Sequence, residues 1–163
     1  VRRIQAMAMV HELVYATTGP VTEIDLAAYA ERLCGALEAA GRDGVRFALD
    51  LEPVRIDLER AVPFALILSE AATNAWRHAY PEGSGRIEVT LRRRGGRVEL
   101  RVDDAGRGFN PEVDAHGGFG LKLIRSLSVQ LGAIHAFERG DGTRFSLTFP
   151  LVASSGGPAR GGA

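Results

Sequence analysis

The sequence lacks the features that would place it in several common protein classes. Its 163 residues include one cysteine, Cys34, which excludes an internal disulfide and a cluster of thiolate metal ligands. Its 20 basic and 20 acidic residues cancel, so no global charge attracts nucleic acid or an anionic membrane. The apolar run 64–68 is far shorter than the roughly 20 residues of a membrane helix. We therefore expect a soluble segment that contacts neither nucleic acid nor a membrane.

What the sequence does contain is the length and composition of one globular domain. Helical periodicity starts at Ile4 without a preceding cap, so we expect a piece of a longer protein. A second helix is predicted over about 25–40, where Thr22 and Asp25 have the spacing of a capping box. A long helix is predicted over about 58–80, in which Pro63 indicates either a bend or the true start.

The strands are predicted from period-two alternation and from glycine turns. Their approximate ranges are 45–51, 86–93, 97–103, 133–137 and 143–149. The last four form two hairpins, and a helix that ends near Leu131 lies between them. Helices grouped with hairpin-linked strands predict an α+β fold, a two-layer α/β sandwich whose mixed, mostly antiparallel sheet carries helices on one face.

The first cluster of polar residues lies on one face of the long predicted helix. Its members occupy helix positions i, i+4, i+7 and i+8, and they are Glu70, Asn74, Arg77 and His78. A solvated surface would explain them, but Leu66 and Ile67 lie on the same face and should half cover it. A carboxylate and an amide beside apolar groups suit the coordination of phosphate and of a hard cation such as Mg²⁺.

The second cluster follows the strand predicted at 97–103. Strand parity places Asp104 on the buried face, where an unpaired carboxylate is costly. Asp104 must therefore be capped by backbone N–H groups or accept hydrogen bonds from a ligand. Gly106 and Gly108 would let a ligand approach the backbone closely, although a plain capped turn would use the same residues.

The third cluster is a set of glycines that open a helix, from Gly117 to Lys122. Backbone N–H groups at a helix N-terminus and the positive end of the helix dipole form an anion site, to which Lys122 adds charge. Neither the P-loop spacing nor the dinucleotide-binding fingerprint is present. A plain flexible loop is the alternative.

Together, the three clusters resemble a known set of motifs. Residues 69–79 are similar to the N box of the GHKL ATP-binding superfamily, 104–108 to its G1 box and 118–121 to its G2 box. Upstream, residues 5–15 and 25–29 resemble the second dimerisation helix and the linker of the HisKA_2 class of sensor histidine kinases. The combination is far more specific than any single box.

This resemblance implies a Bergerat-type fold that holds ATP with Mg²⁺ and transfers the γ-phosphoryl group to a histidine. It assigns Glu70 to polarising the attacking nucleophile, Asn74 to ligating Mg²⁺, and Asp104 to accepting from the adenine amino group. The other implied nucleotide-binding positions are Arg77 and Lys122 toward phosphates, His78 toward adenine or ribose, and Gly106, Gly108, Gly118, Gly120 and Leu121 around the pocket and its lid. Residues 110–117 would form that lid.

The resemblance also divides the chain and indicates its partners. It implies a remnant of the dimerisation and phosphoacceptor region at 1–18, a linker and helix at 19–44, and the ATP-binding catalytic domain at 45–152. The small residues of 153–163 predict a disordered tail. The expected partners are a response regulator receiver domain and the protein's own upstream helix, in a cytoplasmic homodimer. His11 lies on the apolar stripe of the first helix, so we expect the phosphoacceptor histidine upstream of this chain.

Two other functions stay open at this point. An anti-sigma-factor serine kinase has a similar N box and would bind a sigma factor, although the N-terminal pair of helices argues against it. A nucleotide-binding pseudo-kinase scaffold would signal by conformation alone, although Glu70, Asn74 and Asp104 are intact. Outside the clusters, Phe145 is expected to be a core residue only, and His135 is not expected to bind zinc.

Overall fold

The computed structural model describes residues 23–40, 44–81, 83–108 and 119–152, together with residue 8. Its helices are α1 (Leu26–Ala39), α2 (Leu58–His78) and α3 (Phe119–Leu131). Its strands are β1 (Glu23–Asp25), β2 (Val45–Leu51), β3 (Arg55–Asp57), β4 (Gly85–Arg94), β5 (Arg97–Asp104), β6 (Ile134–Gly140) and β7 (Gly142–Pro150). Residue 8 apart, the predicted dimerisation remnant at 1–18, lid at 110–117 and tail at 153–163 lie outside the described residues.

The main sheet has five strands in the order β2-β4-β5-β7-β6. The pairs β4–β5, β5–β7 and β6–β7 are antiparallel, whereas β2 runs parallel to β4. The parallel pair is possible because α2 lies in the long crossover between these two strands. β1 and β3 form a separate antiparallel pair, in which Ile24 lies opposite Ile56. The prediction of a mixed, mostly antiparallel sheet is confirmed.

The core lies between one face of the main sheet and the helices. Alternate residues of β4, β5 and β7 are fully buried on this face, namely Ile87, Val89, Leu91, Val98, Leu100, Leu147 and Phe149. Phe64, Ile67 and Leu68 of α2 are likewise fully buried, and α1 and α3 both pack against α2. The helices therefore form one layer and the sheet the other, which confirms the predicted two-layer sandwich.

The long helix α2 begins before Pro63, which was one of its two predicted start positions. Asp57 caps it by accepting a hydrogen bond from the backbone N–H of Arg60 at 2.9 Å. The helix therefore starts at Leu58, Pro63 lies inside it, and the alternative of a start at Pro63 is wrong. Among the described residues, no helix combines the length and the hydrophobicity that crossing a membrane requires.

α1 begins within one residue of its predicted start, but its cap differs from the predicted capping box. Asp25 is itself the N-cap, because its side chain accepts from the backbone N–H of Ala27 at 2.9 Å. The predicted capping box, in which Asp25 is the partner of Thr22, is therefore wrong, because Asp25 caps the helix itself. The reason is non-local, since residues 23–25 are extended by their pairing with β3.

Candidate functional site

A pocket opens between the C-terminal half of α2 and the strands β5, β6 and β7. Its empty space, including the open solvent at its mouth, is about 320 Å³. The lining is mostly apolar with a few polar side chains, and it consists of Ala71, Asn74, Ala75, His78, Ala79, Val102, Asp104, Phe137, Thr143 and Phe145. Such a lining suits a flat ring system that carries a few hydrogen-bonding atoms. Three of the predicted site residues, Asn74, His78 and Asp104, meet here.

Asp104 is the carboxylate of this pocket, and it is half-buried at the end of β5. Its Oδ1 accepts from the backbone N–H of Gly106 at 3.0 Å and from that of Thr143 at 3.3 Å. Burial raises the pKa of Asp104, the two backbone hydrogen bonds lower it, and the neighbouring Asp103 raises it further. Both hydrogen bonds that Asp104 accepts from described residues go to Oδ1, so the carboxylate is capped at that oxygen and Oδ2 receives neither of them.

The turn after β5 needs glycine because it packs closely on the end of α2. A Cβ at Gly106 would lie 2.1 Å from the carbonyl oxygen of Ala79. That same carbonyl accepts a hydrogen bond from the backbone N–H of Arg107 at 3.0 Å. Gly108 has a φ of 75°, which side-chain-bearing residues rarely adopt, and it packs against Arg139. The shape of the turn therefore accounts for both glycines.

Only part of the polar face of α2 lines the pocket. Asn74 and His78, one helical turn apart, line the pocket and are half-buried. Glu70 is also half-buried, whereas Arg77 is exposed. Because side chains at i and i+4 lie above one another on a helix, Glu70, Asn74 and His78 form one row along α2.

The first turn of α3 lies beside Glu70. A Cβ at Gly120 would be 2.6 Å from Glu70 Oε2, so the carboxylate rests against the start of this helix. Backbone N–H groups and the helix dipole favour anionic groups at such a position. Leu121 is half-buried and Lys122 is exposed, and Gly118 lies outside the described residues. Glu70 therefore connects the polar row on α2 with the N-terminus of α3.

Three pocket residues on β6 and β7 were not predicted as site residues. Phe137, Thr143 and Phe145 line the pocket opposite α2. Phe145 is a core residue, as expected, since it is 2% exposed, and it also forms a wall of the pocket, which was not predicted. The sheet register brings these residues to the site, since Thr143 pairs with Asp104, and Phe145 with Phe137. The sequence signal for Thr143 and Phe145 is their shared strand parity, which does not reveal that β7 lies next to β5.

The oxygen donors near the pocket suit a cation that is shared with a ligand. Within the described ranges, no three side chains of histidine, cysteine, aspartate or glutamate converge on one point. Glu70 and Asn74 present oxygen atoms from one face of α2. Mg²⁺ takes oxygen ligands, keeps several waters and commonly shares phosphate oxygens with a protein. These residues therefore fit Mg²⁺ bound together with phosphates.

Comparison with curated proteins identifies sensor kinases as relatives. Blue-light-activated histidine kinase 2 of Erythrobacter litoralis (strain HTCC2594) is 29% identical over 160 residues, which cover 92% of this chain and 46% of that protein. Sensor protein BceS of Bacillus subtilis (strain 168) is 33% identical over 128 residues, which cover 66% of this chain and 37% of that protein. The chain thus spans less than half the length of these two relatives.

Solved structures and family models agree with these relatives. The histidine kinase domain from the Erythrobacter litoralis EL346 blue-light activated histidine kinase has a TM-score of 0.83 and 28% identity, covering 92% of this chain and 73% of that one. Residues 1–40 match the family model described as histidine kinase. Residues 25–149, more than three quarters of the chain, match the model described as histidine kinase-like ATPase domain. The chain therefore belongs to the family of histidine kinase-like ATPase domains.

Proposed function

We propose that this chain is the ATP-binding catalytic domain of a two-component sensor histidine kinase. The observation that carries the proposal is the pocket that joins Asp104 of β5 with Asn74 and His78 of α2 between apolar walls. An adenine ring has apolar faces and an exocyclic amino group, which suit such walls and a carboxylate acceptor. The family match and the sensor kinases among the relatives support the same function.

Asp104 and His78 bind the nucleoside in this proposal. Oδ2 of Asp104 accepts from the adenine amino group, because Oδ1 is already held by two backbone N–H groups. His78 contacts adenine or ribose from the side of α2. The phosphates extend toward the first turn of α3, whose N–H groups and dipole stabilise negative charge. The exposed side chains of Arg77 and Lys122 supply positive charge toward the phosphates.

Asn74 and Glu70 serve the reacting end of the nucleotide. Asn74 holds Mg²⁺ through its side-chain oxygen together with phosphate oxygens, and the cation supplies charge neutralisation when bound. Glu70 accepts a hydrogen bond from the attacking histidine and so orients its nucleophilic nitrogen. The position of its carboxylate beside the first turn of α3 supports this role. Such residues position groups and neutralise charge, which is what a loose phosphoryl-transfer transition state requires.

The phosphoryl group passes in this proposal to a histidine on an upstream helix and then to an aspartate of a response regulator receiver domain. Two of the chain's four histidines are described: His78 lines the pocket and His135 lies on β6. Neither belongs to a phosphoacceptor motif. The homodimer, the cytoplasmic location and the division of the chain at residues 18, 44 and 152 are parts of the same proposal.

Phosphotransfer tests the proposed function. With Mg²⁺ and ATP labelled at the γ-phosphate, this chain should bind nucleotide without becoming labelled. The full-length natural protein should acquire a label that acid releases, as expected of phosphohistidine, and its Asn74→Ala variant should not. Acid-labile label on the short chain that His11→Ala removes would contradict an upstream acceptor. Acid-stable label on a serine of a separate protein would identify a serine kinase instead.

A further inference from the structure

Tyr80 stands at the point where β4 and β5 separate. The two strands pair as far as Ile87 opposite Asp104. In an antiparallel ladder the next rung would join the carbonyl oxygen of Arg86 to the N–H of Ala105. Instead, the Tyr80 hydroxyl donates to Arg86 O at 2.8 Å and accepts from Ala105 N–H at 3.1 Å. The hydroxyl is therefore inserted into the hydrogen bond that would continue the ladder.

This bridge determines where the chain goes directly after Asp104. A tyrosine hydroxyl has one proton, so donation to Arg86 leaves its lone pairs to accept from Ala105. Without the hydroxyl, the two backbone groups would either lose a partner or approach each other and form the missing rung. Formation of the rung would move the backbone next to Asp104, and loss of the partners would leave that backbone without its anchor; Asp104 itself lines the pocket.

The ring of Tyr80 is held as closely as its hydroxyl. A Cβ at Gly85 would lie 2.3 Å from the ring atoms Cε1 and Cζ, so the ring rests on the Gly85 backbone. The preceding residue, Ala79, packs against Gly106 and accepts from the N–H of Arg107. Ala79 and Tyr80 therefore both hold the turn that follows Asp104, through hydrogen bonds from the N–H groups of Arg107 and Ala105.

We propose that Tyr80 is a positioning residue for adenine recognition. By holding β5 away from β4 at this rung, it sets the depth at which the Asp104 carboxylate meets the 6-amino group of the purine. The proposal rests on the proposed adenine site. It adds the residue that determines the preference of that site for 6-amino purines over 6-oxo purines. IDP is the matched probe, because it carries the sugar and phosphates of ADP with a 6-oxo group in place of the amino group.

Calorimetric titrations of the chain with ADP, IDP and tripolyphosphate test this role in wild type and in Tyr80→Phe. The variant keeps the ring and removes the bridge. The displaced Asp104 carboxylate should bind the adenine amino group less well, by about the worth of one ordinary hydrogen bond, so the Kd for ADP should rise about threefold to tenfold. The Kd values for IDP and tripolyphosphate should change by less than about twofold. The preference for ADP over IDP should fall accordingly.

Tyr29→Phe is the matched control, because the Tyr29 hydroxyl also donates a hydrogen bond, to the carbonyl oxygen of Ala65 at 3.2 Å, but in the core away from the pocket. It should lose stability and keep the wild-type preference for ADP. An equal loss of preference in Tyr29→Phe would reduce Tyr80 to a general structural role and overturn the proposal.

An unchanged ADP-to-IDP ratio in folded Tyr80→Phe would also overturn the proposal. If that variant does not fold, Gly85→Ala tests the same role of Tyr80, because its methyl group displaces the Tyr80 ring. Gly85→Ala should then lower the ratio, and a wild-type ratio would refute the role of Tyr80. A wild-type chain that does not prefer ADP to IDP would overturn the proposed adenine site, and the Tyr80 proposal with it.

Discussion

The substitution Asp104→Asn should weaken adenine binding strongly while the fold stays at least as stable as before. Asn can keep both backbone hydrogen bonds, from Gly106 and Thr143, with its own Oδ1. Its amide nitrogen then takes the place of Oδ2 and presents a donor to the adenine amino group, which is also a donor. The variant therefore loses a charge-assisted hydrogen bond and gains a mismatch at the same atom.

The expected size of the effect follows from the lost hydrogen bond. A hydrogen bond to a charged group contributes about 1.5–3 kcal/mol, so the Kd for ADP should rise about 10- to 150-fold. IDP should be weakened much less, because its 6-oxo group accepts from the new amide. Tripolyphosphate should bind as it does to wild type, since it does not reach the base site.

Stability should respond differently from binding. Burial raises the pKa of Asp104, so the folded protein binds a proton there more tightly than the unfolded chain does. The stability from this group is therefore fully present below about pH 4 and is lost as the pH rises through the raised folded pKa. An uncharged asparagine avoids this loss, so the Tm of the variant at pH 7 should equal or exceed that of wild type.

Calorimetry with the three ligands and thermal unfolding across pH 4 to 8 measure both effects. An unchanged ADP affinity would refute the assignment of Asp104 to adenine. An equal weakening of ADP and tripolyphosphate would show that the variant disturbs the whole site. A lower Tm at pH 7 would refute the inference that the half-buried charge of Asp104 costs stability.

Asn74→Ala should abolish the dependence of ADP binding on Mg²⁺, because it removes the proposed protein ligand; titrations that differ with and without Mg²⁺ as much as in wild type would exclude Asn74. Gly106→Ala should destabilise the fold by roughly 1–3 kcal/mol in urea unfolding, because its methyl would meet Ala79 O at 2.1 Å. Gly140→Ala is its control, since a Cβ there meets nothing within 4 Å, and equal losses would contradict the close packing. Burial raises the pKa of Cys34 to about 12, so a thiol reagent at pH 8 should modify it only after unfolding, and rapid labelling of the native protein would contradict its position in the core.

Local patterns in the sequence were sufficient to predict most of the helices and hairpins. The β4–β5 hairpin turns at Gly95 and Gly96, whose φ values of 51° and 73° explain why two glycines mark the turn. The polar row on α2 could be predicted in the same way, because the 3.6-residue period of a helix places Glu70, Asn74 and His78 on one face. These features depend on residues that are close in sequence.

The sequence by itself therefore determined the elements, their faces and the residue types of the candidate site, since backbone preference and side-chain period are local properties. The tertiary structure decided which strands pair, and strand pairing depends on the burial of apolar faces by the whole fold. Pairing β7 with β5 brought Thr143 to Asp104, 39 residues away. The separation of β5 from β4 placed Ala105 at the Tyr80 hydroxyl, 25 residues away, and no local pattern encodes a contact of that kind.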